Sequence, residues 1–195
     1  MARKLALAIA LTVLLGGCTV AVPGEPTATS GPRTSAEALP FTPKIKGRTN
    51  ERTDGTSFEP CIAYTDADLQ ALDINPRSMH DAAQVDFPNY RGCRWRANGY
   101  TPSAGGVEYS QIVGRELTLD EYKMQMKGLP WQSDRVAHGR PIAVAIESDY
   151  CVANFASEES IVTTIVASNT PSPGNTVECD KAVAFASLAI TKAPK

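Results

Sequence analysis

Alternating apolar and polar residues predict five short β-strands in the C-terminal two-thirds of the chain. The last three strands follow one another through links of three and four residues, at 148–150 and 157–160. Links of that length favour antiparallel neighbours, because a parallel pair needs a long crossover connection. The predicted strands cover residues 93–96, 107–113, 142–146, 151–155 and 161–167.

Two short helices are predicted from capping boxes, in which a threonine and an acidic residue three positions later satisfy the first backbone amides. The boxes lie at 65–68 and at 118–121. The first helix is predicted to stop before Pro76, and the second to end at Gly128. Residues 75–90 show no sustained period and are predicted to be irregular.

A third helix is predicted from about Val177 to Ile190, where apolar residues recur every three or four positions. Its many alanines would allow a close approach to a sheet. The chain is therefore predicted to have an α+β fold, with an antiparallel β-sheet and helices packed mainly on one of its faces.

Residues 1–17 have the features of a signal peptide. Arg3 and Lys4 form a positive start, residues 5–15 are apolar but too few to span a bilayer, and Leu-Gly-Gly precedes Cys18. This order resembles a lipobox, in which the cysteine is acylated and becomes the new N-terminus. An ordinary secretory leader with an incidental cysteine is the alternative. We expect attachment to the cell membrane, on its extracytoplasmic face, through lipid on Cys18.

Residues 18–57 are predicted to be the lipidated N-terminus and a flexible tether, and residues 58–195 a single globular domain. About half of residues 19–57 are Pro, Gly, Ser or Thr, so this stretch cannot bury enough apolar surface to order itself. An edge strand around residues 41–45 is the alternative for its second half. The remaining length is enough to bury a core.

Four cysteines remain once Cys18 is set aside, and an even number in an exported chain favours two disulfides. A zinc site is less favoured, because its ligands usually come in close pairs. Four cysteines allow three pairings. We favour the sequential one, Cys61 with Cys93 and Cys151 with Cys179, each closing a loop of about 30 residues and contributing about 3 kcal/mol.

Charge and composition narrow the possible partners. The formal net charge is -2, and removal of the leader leaves 17 basic and 21 acidic side chains, or -4. A nucleic-acid partner would need a basic stripe, and a membrane patch would need a cluster of lysines and arginines. We therefore predict no nucleic-acid partner, and membrane attachment through the lipid alone.

Several short motifs follow the lipobox in a recognisable order. They are Thr49-Asn50, Asp54-Gly55-Thr56, Phe58-Glu59-Pro60-Cys61, Gly92-Cys93-Arg94-Trp95, Cys151 at the start of a late strand, and Cys179 in the last helix. Their order resembles the domain of unknown function 3558 family of actinobacterial lipoproteins, over roughly residues 49–193. The resemblance implies an envelope lipoprotein with two cysteine pairs. It implies no catalytic or binding residue, because the family has no established activity.

Candidate catalytic groups are few. His80 and His138 are interpreted as exposed loop residues, and the acidic pairs at 66/68 and 158–159 are explained by a helix start and a turn. Serine hydrolase, zinc protease, phosphate-loop and calcium-loop motifs do not occur. We assign no catalytic residue, no cofactor and no metal ligand.

Aromatic residues offer a candidate ligand site. Tyr90, Tyr100 and Trp131 could together rim an apolar cleft, although Trp131 could instead plug one end of the core. Trp95 lies two residues after Cys93 and is expected to pack against a disulfide on the same strand face.

The favoured function is a non-enzymatic ligand-binding or sensing module of the cell envelope. The alternative is an accessory scaffold lipoprotein that docks onto a membrane-protein complex, and an envelope hydrolase comes third. A deep apolar cleft would favour the first, a filled core with a flat apolar patch the second, and clustered perturbed ionisable groups the third.

Overall fold

The computed structural model describes residues 38–43, 47–82, 90–114, 117–169 and 174–195. These residues contain three helices and seven strands. In chain order the elements are α1 (Asp66–Gln70), β1 (Ile74–Asp81), β2 (Arg91–Ala97), β3 (Gly106–Gly114), α2 (Leu119–Gln125), β4 (Arg135–Ala137), β5 (Arg140–Glu147), β6 (Tyr150–Ser157), β7 (Ser160–Asn169) and α3 (Asn175–Lys192).

The seven strands form one antiparallel sheet in the order β1-β2-β3-β7-β6-β5-β4. Two-residue turns join β5 to β6 and β6 to β7, with Ser148 and Glu158 at positive φ, 53° and 49°. Positive φ is what such tight hairpins require. The α+β prediction and the antiparallel sheet are confirmed, and so are all five predicted strands.

The two faces of the sheet carry different helices, because side chains alternate along each strand. Val162 of β7 lies in the main core, which includes residues of α1 and α3. Its neighbour Ile161 points the other way and packs with Leu119 and Tyr122 of α2. We call these the α3 face and the α2 face. Two of the three helices, including the longest, therefore pack on one face, as predicted.

Both disulfides have the predicted sequential pairing. The Cα atoms of Cys61 and Cys93 are 5.3 Å apart, and those of Cys151 and Cys179 are 5.0 Å apart. The first bridge ties the loop before α1 to β2, and the second ties β6 to α3. Trp95 is 1 % exposed and belongs to the same core cluster as Cys61 and Cys93. It is therefore buried on the strand face that it shares with Cys93, and its packing against the bridge stays a prediction.

The prediction that residues 75–90 are irregular is wrong over β1. The strand contains Pro76, although a proline cannot donate a ladder hydrogen bond. β1, however, lies at the edge of the sheet, and its register shifts between Asn75 and His80. Edge positions and bulges are the places where a sheet accepts proline.

One helix end and one short strand also differ from the prediction. The α2 helix ends at Gln125 rather than at Gly128, because the chain turns at Met126, whose carbonyl oxygen accepts hydrogen bonds from the amide of Leu129 and from the indole of Trp131. The three-residue strand β4 is too short to show a period and was missed.

Packed structure begins before the predicted domain boundary at Phe58. Arg48 is 7 %, Thr53 0 % and Thr56 4 % exposed, so the tether prediction is wrong for this segment. Leu39 and Phe41 also pack against the main core, and residues 38–43 form no strand. The predicted signal peptide and Cys18 lie outside the described residues.

Candidate functional site

A shallow groove of about 330 Å³ lies between the loop before α1 and the C-terminal end of α3. Its volume is at the lower end of the range for small-molecule sites. The floor is mostly apolar, and one acidic and one basic side chain reach its rim. The lining residues are Ser57, Phe58, Glu59, Ile62, Ala63, Lys192 and Pro194.

The wall of the groove is a loop held by a buried arginine. Arg91, the first residue of β2, is 4 % exposed. Its guanidinium donates to the carbonyl oxygens of Thr53 at 2.8 Å, Thr56 at 2.6 Å and Phe58 at 2.6 Å. We call residues 53–61 the pinned loop. A single side chain thus fixes three carbonyls of a segment that has no helix or strand of its own.

Glu59 joins this arginine to a second one. Its carboxylate accepts from Arg91 Nη1 at 3.1 Å and from Arg48 Nη1 at 2.5 Å and Nη2 at 3.1 Å. Arg48 also donates to the carbonyl oxygen of Gly92 at 3.0 Å, and its Nε lies 3.6 Å from Asp81. Two buried cations are therefore balanced by two carboxylates, as burial of charge requires.

The turn between β6 and β7 is fastened to the pinned loop. The carboxylate of Glu158 accepts from the backbone amide of Ser57 at 2.7 Å and from its hydroxyl at 3.2 Å. Beside it, the hydroxyls of Thr56 and Ser157 are 2.8 Å apart and buried. The hydrogen bond from the Ser57 amide lowers the pKa of Glu158 below its ordinary value.

We expect Glu158→Gln to lower the free energy of unfolding at pH 7 by less than about 1 kcal/mol, because the ion is largely exposed. Ionised Glu158 stabilises the fold above its unfolded pKa of about 4.3. That contribution begins to shrink near the unfolded pKa and is lost as pH falls through the lower folded pKa, so the difference from wild type should vanish only below the folded pKa. Urea unfolding at several pH values measures it.

Glu159→Gln is the matched control, because Glu159 is exposed in the same turn and only its backbone amide bonds to the pinned loop. A pH-dependent effect of equal size in both variants would contradict a specific role for Glu158.

The other wall of the groove is the last turn of α3. Lys192 Nζ lies 3.0 Å from Asp68 of α1, and its side chain is 34 % exposed. The guanidinium of Arg140 donates to the carbonyl oxygens of Ile190 and Ala193. This cation offsets the partial negative charge that carbonyls leave at a helix C-terminus.

A second candidate surface lies on the α2 face. The α2 helix and Trp131 cover β5 and β6 there, so that Val152 is only 5 % exposed. On the neighbouring strands, Ser110, Ile112 and Ile165 of this face are only half-buried. Ser110 lies opposite Arg94 on one side and Ile165 on the other. We call the α2-face residues of β2, β3 and β7 the open strip; its centre is mixed in polarity.

The structure does not bring the three predicted cleft residues together. Tyr90 precedes β2 and donates to the carbonyl oxygen of Ala82, whereas Tyr100 follows the other end of β2 and stacks on Arg96, with 4.5 Å between the guanidinium carbon and the ring centroid. The seven residues of β2 separate them by about 20 Å.

Trp131 is remote from both tyrosines. It pairs with Ala145 of β5, four strands from β2 or about 19 Å across the sheet. Its ring packs edge-on against Tyr122, with centroids 6.3 Å apart. The prediction of a shared cleft is therefore wrong. Trp131 instead packs in the smaller core under α2, close to the alternative of an aromatic plug.

None of the described histidines or acidic pairs lines the groove, although Asp68 pairs with the lining residue Lys192, and Glu158 accepts from the lining residue Ser57. His80 lies in β1 with Nδ1 3.1 Å from the carbonyl oxygen of Ser78, and His138 occupies the turn before β5. Asp68 completes the predicted capping box with Thr65. Within the part of the chain that the structure describes, no three His, Cys, Asp or Glu side chains are placed to hold a metal, and no helix is long and apolar enough to cross a membrane.

Sequence reasoning missed the two buried arginines that hold the groove wall. Arg48 stands in a Pro- and Gly-rich stretch that looks like a solvated tether, and Arg91 follows an aperiodic segment. One signal was present, because Glu59 and Cys61 both belong to the Phe-Glu-Pro-Cys motif. The motif forms the last four residues of the pinned loop, where Glu59 makes the ion pairs and Cys61 the disulfide.

No curated protein and no solved structure matches the chain. The model of the family described as "Protein of unknown function (DUF3558)" matches residues 13–192. The match covers nearly all of the 195 residues and includes the pinned loop, both disulfides and the whole sheet. On this match, the chain belongs to the DUF3558 family.

Proposed function

We propose that the protein is a lipoprotein anchored by acylated Cys18 at the extracytoplasmic face of the cell membrane, and that its folded part is a non-enzymatic module that binds a ligand in the groove. The two disulfides agree with an oxidising compartment. The leader sequence is the support for the anchor.

The pinned loop is the observation that carries the binding proposal. Burying Arg48 and Arg91 costs desolvation energy, and an apolar core could stabilise a loop as well or better. What the ion pairs and the Cys61–Cys93 bridge provide is a fixed position for the groove wall. Because the wall is already ordered, binding a ligand does not carry the entropy cost of ordering the loop.

The test is to recover the intact lipoprotein from its native membrane in mild detergent and to identify co-purifying small molecules and polypeptides by mass spectrometry. We expect an acylated N-terminal Cys18 and a stoichiometric small molecule. Ala63→Trp should fill the groove and remove that molecule, whereas Ala184→Trp, on the exposed side of α3, should retain it. A molecule that persists in Ala63→Trp would place the site elsewhere.

The scaffold function is the second candidate, and the open strip is the observation that favours it. Ile112 and Ile165 of the open strip remain half-buried on the same face of the sheet as α2. A stoichiometric membrane protein without any small molecule in the same purification would favour this candidate over ligand capture.

A further inference from the structure

The groove offers a bound molecule donors of hydrogen bonds rather than acceptors. Both oxygens of Glu59 already accept hydrogen bonds, from Arg48, from Arg91 and from the backbone amide of Cys61 at 3.1 Å. Although Glu59 reaches the rim, its charge is therefore balanced within the protein. Among the side chains that line the groove, a cationic ligand would find no unpaired carboxylate, because Asp68, the partner of Lys192, lies outside the lining.

The carbonyl oxygens at the end of α3 are also engaged. Ala189 accepts from the amide of Ala193, Ile190 accepts from Arg140, and Leu188 accepts from the hydroxyl of Thr191. The guanidinium of Arg140 adds a positive charge beside these groups. The helix end therefore does not repel an anion as an uncapped C-terminus would.

Lys192 is the polar group that the groove presents. Its ammonium has three N–H donors, and one of them is directed to Asp68 at 3.0 Å. The side chain is one-third exposed and stands beside the apolar floor of Phe58, Ile62 and Pro194. A point charge above an apolar floor matches a ligand with one anionic group and a short apolar tail.

From these contacts we infer that the groove binds small amphiphilic monocarboxylates, with the carboxylate on Lys192 and the tail along Phe58, Ile62, Ala63 and Pro194. The inference rests on the proposed ligand-binding function and names its ligand class. A phosphate is the poorer fit, because phosphate sites use bidentate arginines or helix N-termini. Here Arg48 and Arg91 are both engaged with Glu59, and the helix end is a C-terminus.

Three probes of equal chain length test the inference: octanoate, octanol and octylamine. The protein is the mature chain, residues 18–195, carrying Cys18→Ser so that no attached acyl chain competes for the groove. Backbone amide shifts of residues 57–63 and 192–194 report binding by NMR. We expect octanoate to bind with a Kd on the order of 1 mM, as ten ligand atoms allow, and octylamine to bind at least about tenfold more weakly.

Variants separate charge from apolar contact. Lys192→Met should weaken octanoate about tenfold and leave octanol unchanged, whereas Lys192→Arg should retain octanoate. Lys195→Met is the matched control, because Lys195 is exposed near the same chain end and lines no part of the groove. Asp68→Asn removes the competing carboxylate and should tighten octanoate up to about fivefold.

Equal binding of octanoate and octanol, or no effect of Lys192→Met, would overturn the carboxylate inference while leaving the groove as a ligand site. If none of the three probes shifts the backbone amide signals of the groove residues, the carboxylate inference is overturned too. The proposed function fails separately, if Ala63→Trp leaves the co-purifying molecule in place.

Discussion

Replacing Arg91 with alanine is expected to lower the free energy of unfolding by about 3–5 kcal/mol, because it breaks a buried ion pair from one side. Glu59 would keep its charge with one cation fewer, and three carbonyls of the pinned loop would lose their donor. Such a loss is a large part of the 5–15 kcal/mol that stabilises a typical domain. Urea unfolding followed by circular dichroism measures it.

Arg77→Ala is the matched control for this prediction. Arg77 is an exposed arginine of the neighbouring strand β1, and its loss should change stability by less than about 0.5 kcal/mol. Arg91→Lys should recover only part of the stability, since an ammonium cannot reproduce the planar fork that reaches Thr53, Thr56 and Phe58 together. Equal stability of Arg91→Ala and Arg77→Ala would show that the pinned loop does not depend on this side chain.

Local sequence signals predicted most of the fold. The hairpins of β5, β6 and β7 follow from alternating residues and short turns, and both capping boxes form as predicted, with Thr65 bonded to Asp68 and Thr118 to Glu121. The pairing of the four cysteines was one of three open choices, and the sequential one is confirmed. The hairpins and capping boxes join partners that lie close together along the chain, whereas the cysteine prediction rested on a preference for the sequential order.

The candidate site was not predicted, because its contacts are non-local. Arg91 and Glu59 are 32 positions apart, and Arg48 reaches Gly92 across 44. Nothing in the surroundings of Arg48 distinguishes it from a solvated side chain of a tether. The predicted cleft was wrong for the same reason. The distances between Tyr90, Tyr100 and Trp131 depend on the strand order, which the sequence does not specify.

The pinned loop combines two constraints that act on the same residues. Arg91 holds carbonyl groups of the pinned loop, and the Cys61–Cys93 bridge joins the last residue of the loop to β2. Cys93 lies two positions after Arg91 on that strand. Arg48 contacts the bridge and the ion partner of Arg91, since its Nη2 lies 2.9 Å from Cys61 Sγ and 3.1 Å from Glu59 Oε1. The other disulfide, Cys151–Cys179, shares none of these contacts. The chain thus contains its own control for coupling between a disulfide and an ion-pair network.

Removing either disulfide by a pair of Cys→Ala substitutions is expected to cost about 2–5 kcal/mol, because each closes a loop of nearly equal length, with separations of 32 and 28 residues. The two disulfide removals should differ in how their losses of stability combine with that of Arg91→Ala.

The Cys61/Cys93 pair shares the pinned loop with Arg91. Once the bridge has gone, the loop is loosened and the arginine has less ordered structure left to hold. When this pair and Arg91 are replaced together, the loss of stability should therefore be smaller than the sum of the two separate losses by about 0.5–3 kcal/mol. Cys151 lies about 14 Å away across the sheet, so the losses from the Cys151/Cys179 pair and from Arg91→Ala should add to within about 0.5 kcal/mol. Urea unfolding of the single and combined variants completes both cycles. Additivity in both would mean that the bridge and the arginine stabilise the loop independently, and the pinned loop would then not be one cooperative unit.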